Sequence, residues 1–474
     1  MKVRGIEISL FIFLMLLAGC AVHSPQPIEP PVPVPASFTE QNVSGVPVER
    51  WWAVFEDPGL NVLMEEAFSG NLDLVQAYER FEQSRAIYRS TMAARKPSVD
   101  LQGEWSRENT PSFFGNNAGN SYLLSLAAGF ELDLWQKLKS RTMATGLDME
   151  AIREEIKTLY ISLSARIADL YYLAAEQRAQ MKLTEQIINS YTDILSLVEQ
   201  RYREGLVPAL DVYQARQNLS GVKVRRAVSE SALRVTEHAL SVALGHYPDN
   251  KTIGDLIKLP ETPATFPSGL PSELLSRRPD VRAAFLRLKA SDARVAVAIA
   301  GRFPSFNLLG SYGTSSFVFS TGDIIGNFWK VLINLSQPLL DGGRRSAEVD
   351  RSRAVFRENL ALYRKAVLNA FQEVEDALVK NRTSEERIMQ LQEQADAAGV
   401  ALRLSRERYL QGLSGYLPVL IAQTLYFDTQ SQLLTARRRL ISDRITLARA
   451  LGGEWMEHEI QNRLTVNNHK GGGP

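Results

Sequence analysis

Arg201-Tyr202-Arg203-Glu204-Gly205-Leu206 recurs 207 residues later as Arg408-Tyr409-Leu410-Gln411-Gly412-Leu413. The same offset carries Leu210, Val212 and Ala215 onto Leu417, Val419 and Ala422, and Leu244-Gly245 onto Leu451-Gly452. Upstream it carries Asp73, Ala77, Arg80 and Ala86 onto Asp280, Ala284, Arg287 and Ala293, and Arg95, Pro97 and Ser98 onto Arg302, Pro304 and Ser305. Matches at one offset over most of each half mean an internal duplication, a signal that outranks any single motif. The repeats are expected over 51–259 and 272–455, with the proline-bearing segment 260–271 as the linker between them.

Each repeat reads in the same order: a helix (about 60–95, then 272–301), two strands, and two long helices (about 137–203 and 208–246, then 343–410 and 416–452). Ile156, Leu159, Leu163, Ile167, Leu170 and Ala174 step by three and four, as one face of a helix does. At 1.5 Å per residue a helix of that length extends about 100 Å, so it must pack lengthwise on others in a coiled-coil-like assembly.

The strands, about 98–107, 121–133, 303–313 and 326–338, alternate strictly. Tyr122, Leu124, Leu126, Ala128, Phe130 and Leu132 share one face, while Ser125, Gly129, Glu131 and Asp133 take the other. Trp329, Val331, Ile333 and Leu335 oppose Lys330, Asn334 and Ser336 in the second repeat. A half-buried sheet of a water-soluble protein alternates too. Strand length, the turn-rich segments that join each pair, and the amino-terminal leader favour strands in a bilayer. Four strands cannot close a barrel, and lipid satisfies no open edge. Several chains must therefore pool strands: a dimer supplies eight and a trimer twelve, and the strand arithmetic alone does not choose.

The leader has a positive start at Lys2 and Arg4 and an apolar stretch from Ile8 to Leu17, too short to span a bilayer. Leu17-Ala18-Gly19-Cys20 resembles the bacterial lipobox, with residues 1–19 as the signal peptide and Cys20 as the lipid attachment site. Acyl chains there would anchor the protein to outer-membrane lipid, and by resemblance to lipoprotein sorting rules Ala21, where Asp would retain the protein at the inner membrane, favours the outer membrane. Residues 20–50 read as a tether, extended and proline-rich over 25–35, and 456–474 as a flexible tail.

Composition excludes other classes. Lys plus Arg is 54 and Asp plus Glu 53, a net of +1 that leaves no excess of positive charge for nucleic acid. One Cys excludes a disulfide framework, and five scattered His include no pair at helical zinc spacing. No acid, base and nucleophile set converges, so no enzyme, cofactor or metal is expected beyond the covalent lipid.

Several motifs together carry a family resemblance: Trp51-Trp52-x-x-Phe55-x-Asp57-Pro58-x-Leu60, Asn71-Leu72-Asp73-Leu74, Arg277-Arg278-Pro279-Asp280-Val281, Gln337-Pro338-Leu339-Leu340-Asp341-Gly342-Gly343-Arg344 and the Arg-Tyr-x-x-Gly-Leu pair. With these the chain resembles the outer-membrane efflux proteins of the TolC/OprM type, closest in style to the NodT-type lipoproteins. The resemblance implies a mainly α fold with a transmembrane β part, made of duplicated half-repeats. It implies a homotrimer whose twelve strands form an outer-membrane β-barrel continuous with a long periplasmic α-helical barrel. Such a protein is a passive duct, and its partners are a periplasmic adaptor (membrane fusion) protein and an inner-membrane pump of the resistance-nodulation-division type. Gly205, Leu206, Gly412 and Leu413 would form the adaptor-facing tips.

The gate is where the sequence departs from the family pattern. Familiar members narrow the periplasmic mouth with two aspartates, and the matching positions here are Pro418 and Ile421. Tyr409 and Asp211 match a latch, but the arginine position of that latch is Ser414. The expectation is an apolar constriction of Leu417, Pro418 and Ile421 from three chains. The alternatives are a structural coiled-coil envelope lipoprotein without a channel and a lipid-anchored enzyme.

Overall fold

The computed structural model describes residues 23–24, 33–39, 50–112, 115–249, 259–267, 269–319, 322–453, 455–457, 459–461 and 463. Cys20 and the 464–474 tail lie outside the described residues. The chain forms two compact units, one built on Glu79–Glu154 and Arg282–Ala366, the other on Val32–Tyr78, Glu155–Val281 and Val367–Pro474.

The first unit holds one four-stranded antiparallel sheet. Its strands are β1 (Ser98–Ser112), β2 (Gly115–Leu132), β3 (Ser305–Phe319) and β4 (Gly322–Ser336), in the order β1-β2-β3-β4. They run longer at the hairpin ends than the alternation suggested, because pairing continues through polar residues such as Asn109↔Ala118. Register sorts the side chains by face. One rung reads Leu101–Leu126–Tyr312–Trp329, and the next reads Asp100–Ala127–Ser311–Lys330 on the opposite face. At the foot of the sheet Trp135 stacks on Phe303 at 4.9 Å, and its indole N–H donates to the Pro304 carbonyl at 2.7 Å.

The helices are α1 (Pro58–Gly70), α2 (Leu72–Ala93), α3 (Lys137–Arg203) and α4 (Ala209–Leu244), then α5 (Pro271–Arg277), α6 (Pro279–Ala300), α7 (Arg344–Leu410) and α8 (Tyr416–Leu451). The four long ones fall within about two residues of the ranges read from periodicity. The shorter ones differ: the single helix expected over about 60–95 is two, and so is its counterpart. The first break falls at Asn71, whose amide N–H₂ donates to the Ala243 carbonyl at 2.8 Å and whose Oδ1 accepts from Leu74 N–H at 3.1 Å. The second falls at Arg278, before Pro279, where an extended residue is favoured. Arg278 Nη1 donates to the Ala450 carbonyl at 3.1 Å. Donors and acceptors both lie 207 apart, so the duplication preserves a hydrogen bond while the side chain that makes it changes from amide to guanidinium.

An aromatic clasp explains the first motif. Trp51 donates to Ser164 Oγ at 3.1 Å, Trp52 meets Trp455 at 4.8 Å, and Phe55 meets Tyr172 at 5.3 Å. Asp57 caps α1 by accepting from Gly59 N–H and Leu60 N–H, with Pro58 at the first helical position, where a missing N–H costs nothing. Within the segment read as a tether, Phe38 is buried and the Thr39 N–H donates to Glu375 at 2.9 Å.

Within each repeat an Arg–Glu pair at matching positions links the two long helices, and its charges are reversed between repeats. Arg178 on α3 donates to Glu237 on α4 at 2.9 Å, both buried. At the same positions plus 207, Glu385 on α7 accepts from Arg444 on α8. Pairing α3 with α8, or α7 with α4, through these positions would bring like charges together, so the reversal discriminates between helix partners. Arg178→Glu should cost about 3 kcal/mol, because it buries a carboxylate against Glu237. The compensated double variant Arg178→Glu with Glu237→Arg should recover most of that loss, read as the thermal midpoint of helical circular dichroism.

Candidate functional site

Two surfaces are candidates for function. The first is the apolar face of the sheet. Leu101 and Trp329, the ends of one rung, are 71% and 77% exposed. Val99, Trp105, Leu124, Val331 and Ile333 on the same face are exposed as well. A sheet that turns leucine, valine and tryptophan outward has no gain from water, but hydrocarbon accepts it. Leu339 and Leu340, just after β4, are also exposed. Neither β1 nor β4 has a second neighbour within the described residues. None of the described helices is long and apolar enough to cross a membrane, which bears on helices alone.

The second surface is the pair of helical turns. In the first, Leu206 N–H donates to the Arg201 carbonyl at 2.9 Å and Gly205 N–H to the Tyr202 carbonyl at 3.0 Å. In the second, Leu413 and Gly412 repeat those bonds to Arg408 and Tyr409 at 2.9 and 3.0 Å. Each is a Schellman end, which requires a left-handed residue, and both glycines sit at φ 74°. Leu206 and Leu413, one residue beyond, are exposed.

Beneath the turns lies a core drawn from all four long helices: Ile194 and Val198, Val212 and Ala215, Tyr409, and Tyr416 and Val419. Tyr409 is 1% exposed. Burial pushes the Tyr409 and Tyr416 phenols above their ordinary pKa. Asp211, in the first turn of α4, is half-buried, and desolvation raises its carboxyl above the usual range. The structure puts Asp211 close enough to Tyr409 to act on its titration, yet the Tyr409 hydroxyl has no hydrogen-bond partner among the described residues. The Ser414 hydroxyl, at the position where the latch pattern has arginine, is buried and also without a partner.

What holds Tyr409 is Arg201, which sequence reading had noted only as part of a repeat. Its Nη1 donates to the Tyr409 carbonyl at 2.6 Å, and its guanidinium lies 4.7 Å from the Tyr409 ring centre. No sequence signal marked this role, since Arg201-Tyr202 and Arg408-Tyr409 read alike; in the structure Tyr202 is exposed where Tyr409 is buried. Leu417, Pro418 and Ile421 all turn away from this core on α8 and are exposed. Pro418 lies in the first turn of α8, where its missing N–H leaves no hydrogen bond broken.

An outward apolar sheet joined in duplicate to long amphipathic helices defines a channel-forming protein of the bacterial outer membrane. The chain belongs to the outer membrane efflux protein family, whose model matches residues 63–246 and 270–453, one match to each repeat. It is 30% identical to the probable efflux pump outer membrane protein TtgC of Pseudomonas putida, over 98% of this chain and 99% of that one. It is 28% identical to the probable outer membrane lipoprotein SilC of Salmonella typhimurium, over 94% and 98% of the two chains. The solved outer-membrane channel OprN is similar with a TM-score of 0.84 at 26% identity, covering 92% of this chain and 99% of that one. The protein is thus an outer-membrane efflux channel of TolC-like fold, and its work is passage and not catalysis.

Gly412→Ala should destabilise the tip by about 1 kcal/mol through the left-handed backbone alone, since a Cβ there meets nothing nearer than Arg201 at 3.9 Å. Thermal melting of the purified protein checks this. Asp211→Asn tests the buried carboxyl. A folded pKa raised above the unfolded one means that stability falls as pH rises through it. The amide should therefore raise the melting temperature at neutral pH, and the gain should vanish well below the ordinary aspartate range.

Proposed function

We propose that three copies of this chain form the passive exit duct of a tripartite efflux system. Twelve pooled strands would make the outer-membrane barrel, and the paired long helices a periplasmic α-barrel. The observation that carries this reading is the four-stranded sheet with an exposed apolar face and two unpaired edges, since lipid leaves an open edge unsatisfied. Twelve strands leave room for a passage, whereas eight fill with side chains. Relatives described as efflux pump outer membrane proteins support the pump as partner, and the lipoprotein description of SilC supports acylation at Cys20. Small molecules such as drugs would enter from an inner-membrane pump of the resistance-nodulation-division type through a periplasmic adaptor. The exposed Leu206 and Leu413, presented by Gly205 and Gly412, suit that adaptor as apolar contacts.

The duct closes, on this reading, at an apolar ring of Leu417, Pro418 and Ile421 from each copy, which excludes ions by dewetting. Asp211 and Tyr409 shape the same end of the helices without an arginine latch. Planar-bilayer conductance of the detergent-purified protein, with its mass in detergent, tests the assembly. Discrete conducting steps from a three-chain particle are expected, and a monomeric, non-conducting particle would support a structural lipoprotein instead. Trivalent cations should leave the wild-type duct little affected. Ile421→Asp should make it sensitive on the order of tenfold, because three carboxylates then share one ring.

A further inference from the structure

The duplication, read through the contacts it preserves, assigns the seam between copies and its register. Inside the chain α3 lies against α8 along a polar seam. Asp169 accepts from Ser442 at 2.6 Å and from Arg438 at 3.1 Å. Glu176 accepts from Thr435 at 2.7 Å, and the Gln180 amide donates to the Ser431 carbonyl at 2.9 Å. Shifted by 207, the α3 side becomes Asp376, Thr383 and Arg387 on α7. The α8 side becomes Val224, Val228 and Val235 on α4, with Ser231 in place of Arg438.

These valines are 63–65% exposed. The opposite side of α4 is already buried through Val212, Ala215, Leu219 and Val222. A helix with apolar residues on two faces needs packing on both, and among the described residues α3 and α8 cover only the first. The α7 face is open as well. Asp376, Thr383 and Arg387 are exposed, and among the described residues none of them bonds to α4.

We infer that the valine stripe of α4 seats the α7 face of a second copy of this chain, in the register that α8 and α3 already use: Val224 against Arg387, Val228 against Thr383, and Val235 against Asp376. The inference rests on the pooled assembly proposed above and adds which side chains meet. The occupant is a second copy because the in-chain seam is the only α3-like partner that the sequence encodes for an α8-like helix, and its counterpart is α7. Valine replaces the serine and threonine of the in-chain seam, so dispersion and burial take over from hydrogen bonds. Such a seam is heterologous, α4 of each copy to α7 of the next, and closes as a ring.

Cysteine cross-linking of the full-length protein tests the register, with a short thiol-to-thiol reagent and the native Cys20 alone as background. Thr435→Cys with Glu176→Cys should link within one chain and serves as the control on the chemistry. Val228→Cys with Thr383→Cys should give two- and three-chain species on denaturing gels. Val242→Cys with Thr383→Cys, displaced by fourteen residues or about 21 Å of helix, should give none. Equal linking by both pairs, linking of 228 to 383 within one chain, or no linking in a particle of three-chain mass would overturn the inference and leave the assembly standing. In that last case, a thiol introduced by Val228→Cys that still reacts with a maleimide dye would mean that the stripe stays open in the assembly, and one that is protected would mean that something other than the α7 face of a second copy covers it. A one-chain mass would instead remove the assembly itself, and the seam with it.

Discussion

Hydrocarbon offers no hydrogen bond. A β-strand at the margin of a sheet in lipid leaves a row of amides and carbonyls whose cost accumulates along its length. In this chain the margins are β1 and β4, and the face between them is leucine, valine and tryptophan. Neither property suits water, and both are what the pooled barrel proposed above would satisfy. The length of the helices, the duplication and the open margins are parts of one solution, in which a short sheet is made sufficient by repetition.

Repetition raises a second difficulty, which is identity. Two helix pairs descended from one sequence could exchange partners. The buried pair Arg178–Glu237 and its reversed counterpart Glu385–Arg444 penalise that exchange. The hydrogen bonds from Asn71 and Arg278 to the Ala243 and Ala450 carbonyls show the complementary strategy, where backbone geometry is retained and the side chain is free to change. Charge marks difference at one level while hydrogen-bond geometry preserves sameness at another.

Much of this was legible in the sequence. Repeat offset, strand alternation and helical period are properties of spacing, and spacing survives the loss of three-dimensional context. The break at Asn71 was not legible, because the bond that stabilises it comes from a residue far along the chain, whereas Pro279 did mark the one at Arg278 and was passed over. Arg201 was missed for a related reason. Its partner, the Tyr409 carbonyl, is a backbone atom 208 positions away and leaves no trace in residue type. The candidate gate was read by matching positions, and a match cannot convey that Ser414 turns inward where the pattern has an arginine.

The two Schellman turns bear on how the adaptor contact proposed above could vary. Their shape comes from glycine and from main-chain hydrogen bonds, so it asks of the residue that follows only a backbone N–H. Leu206 and Leu413 project from a frame that does not need them. Substitution at either position can retune a contact surface while the fold beneath it is untouched. The glycines just before them hold the frame. Mutational tolerance and mutational constraint thus sit on adjacent residues, and the division falls between main chain and side chain.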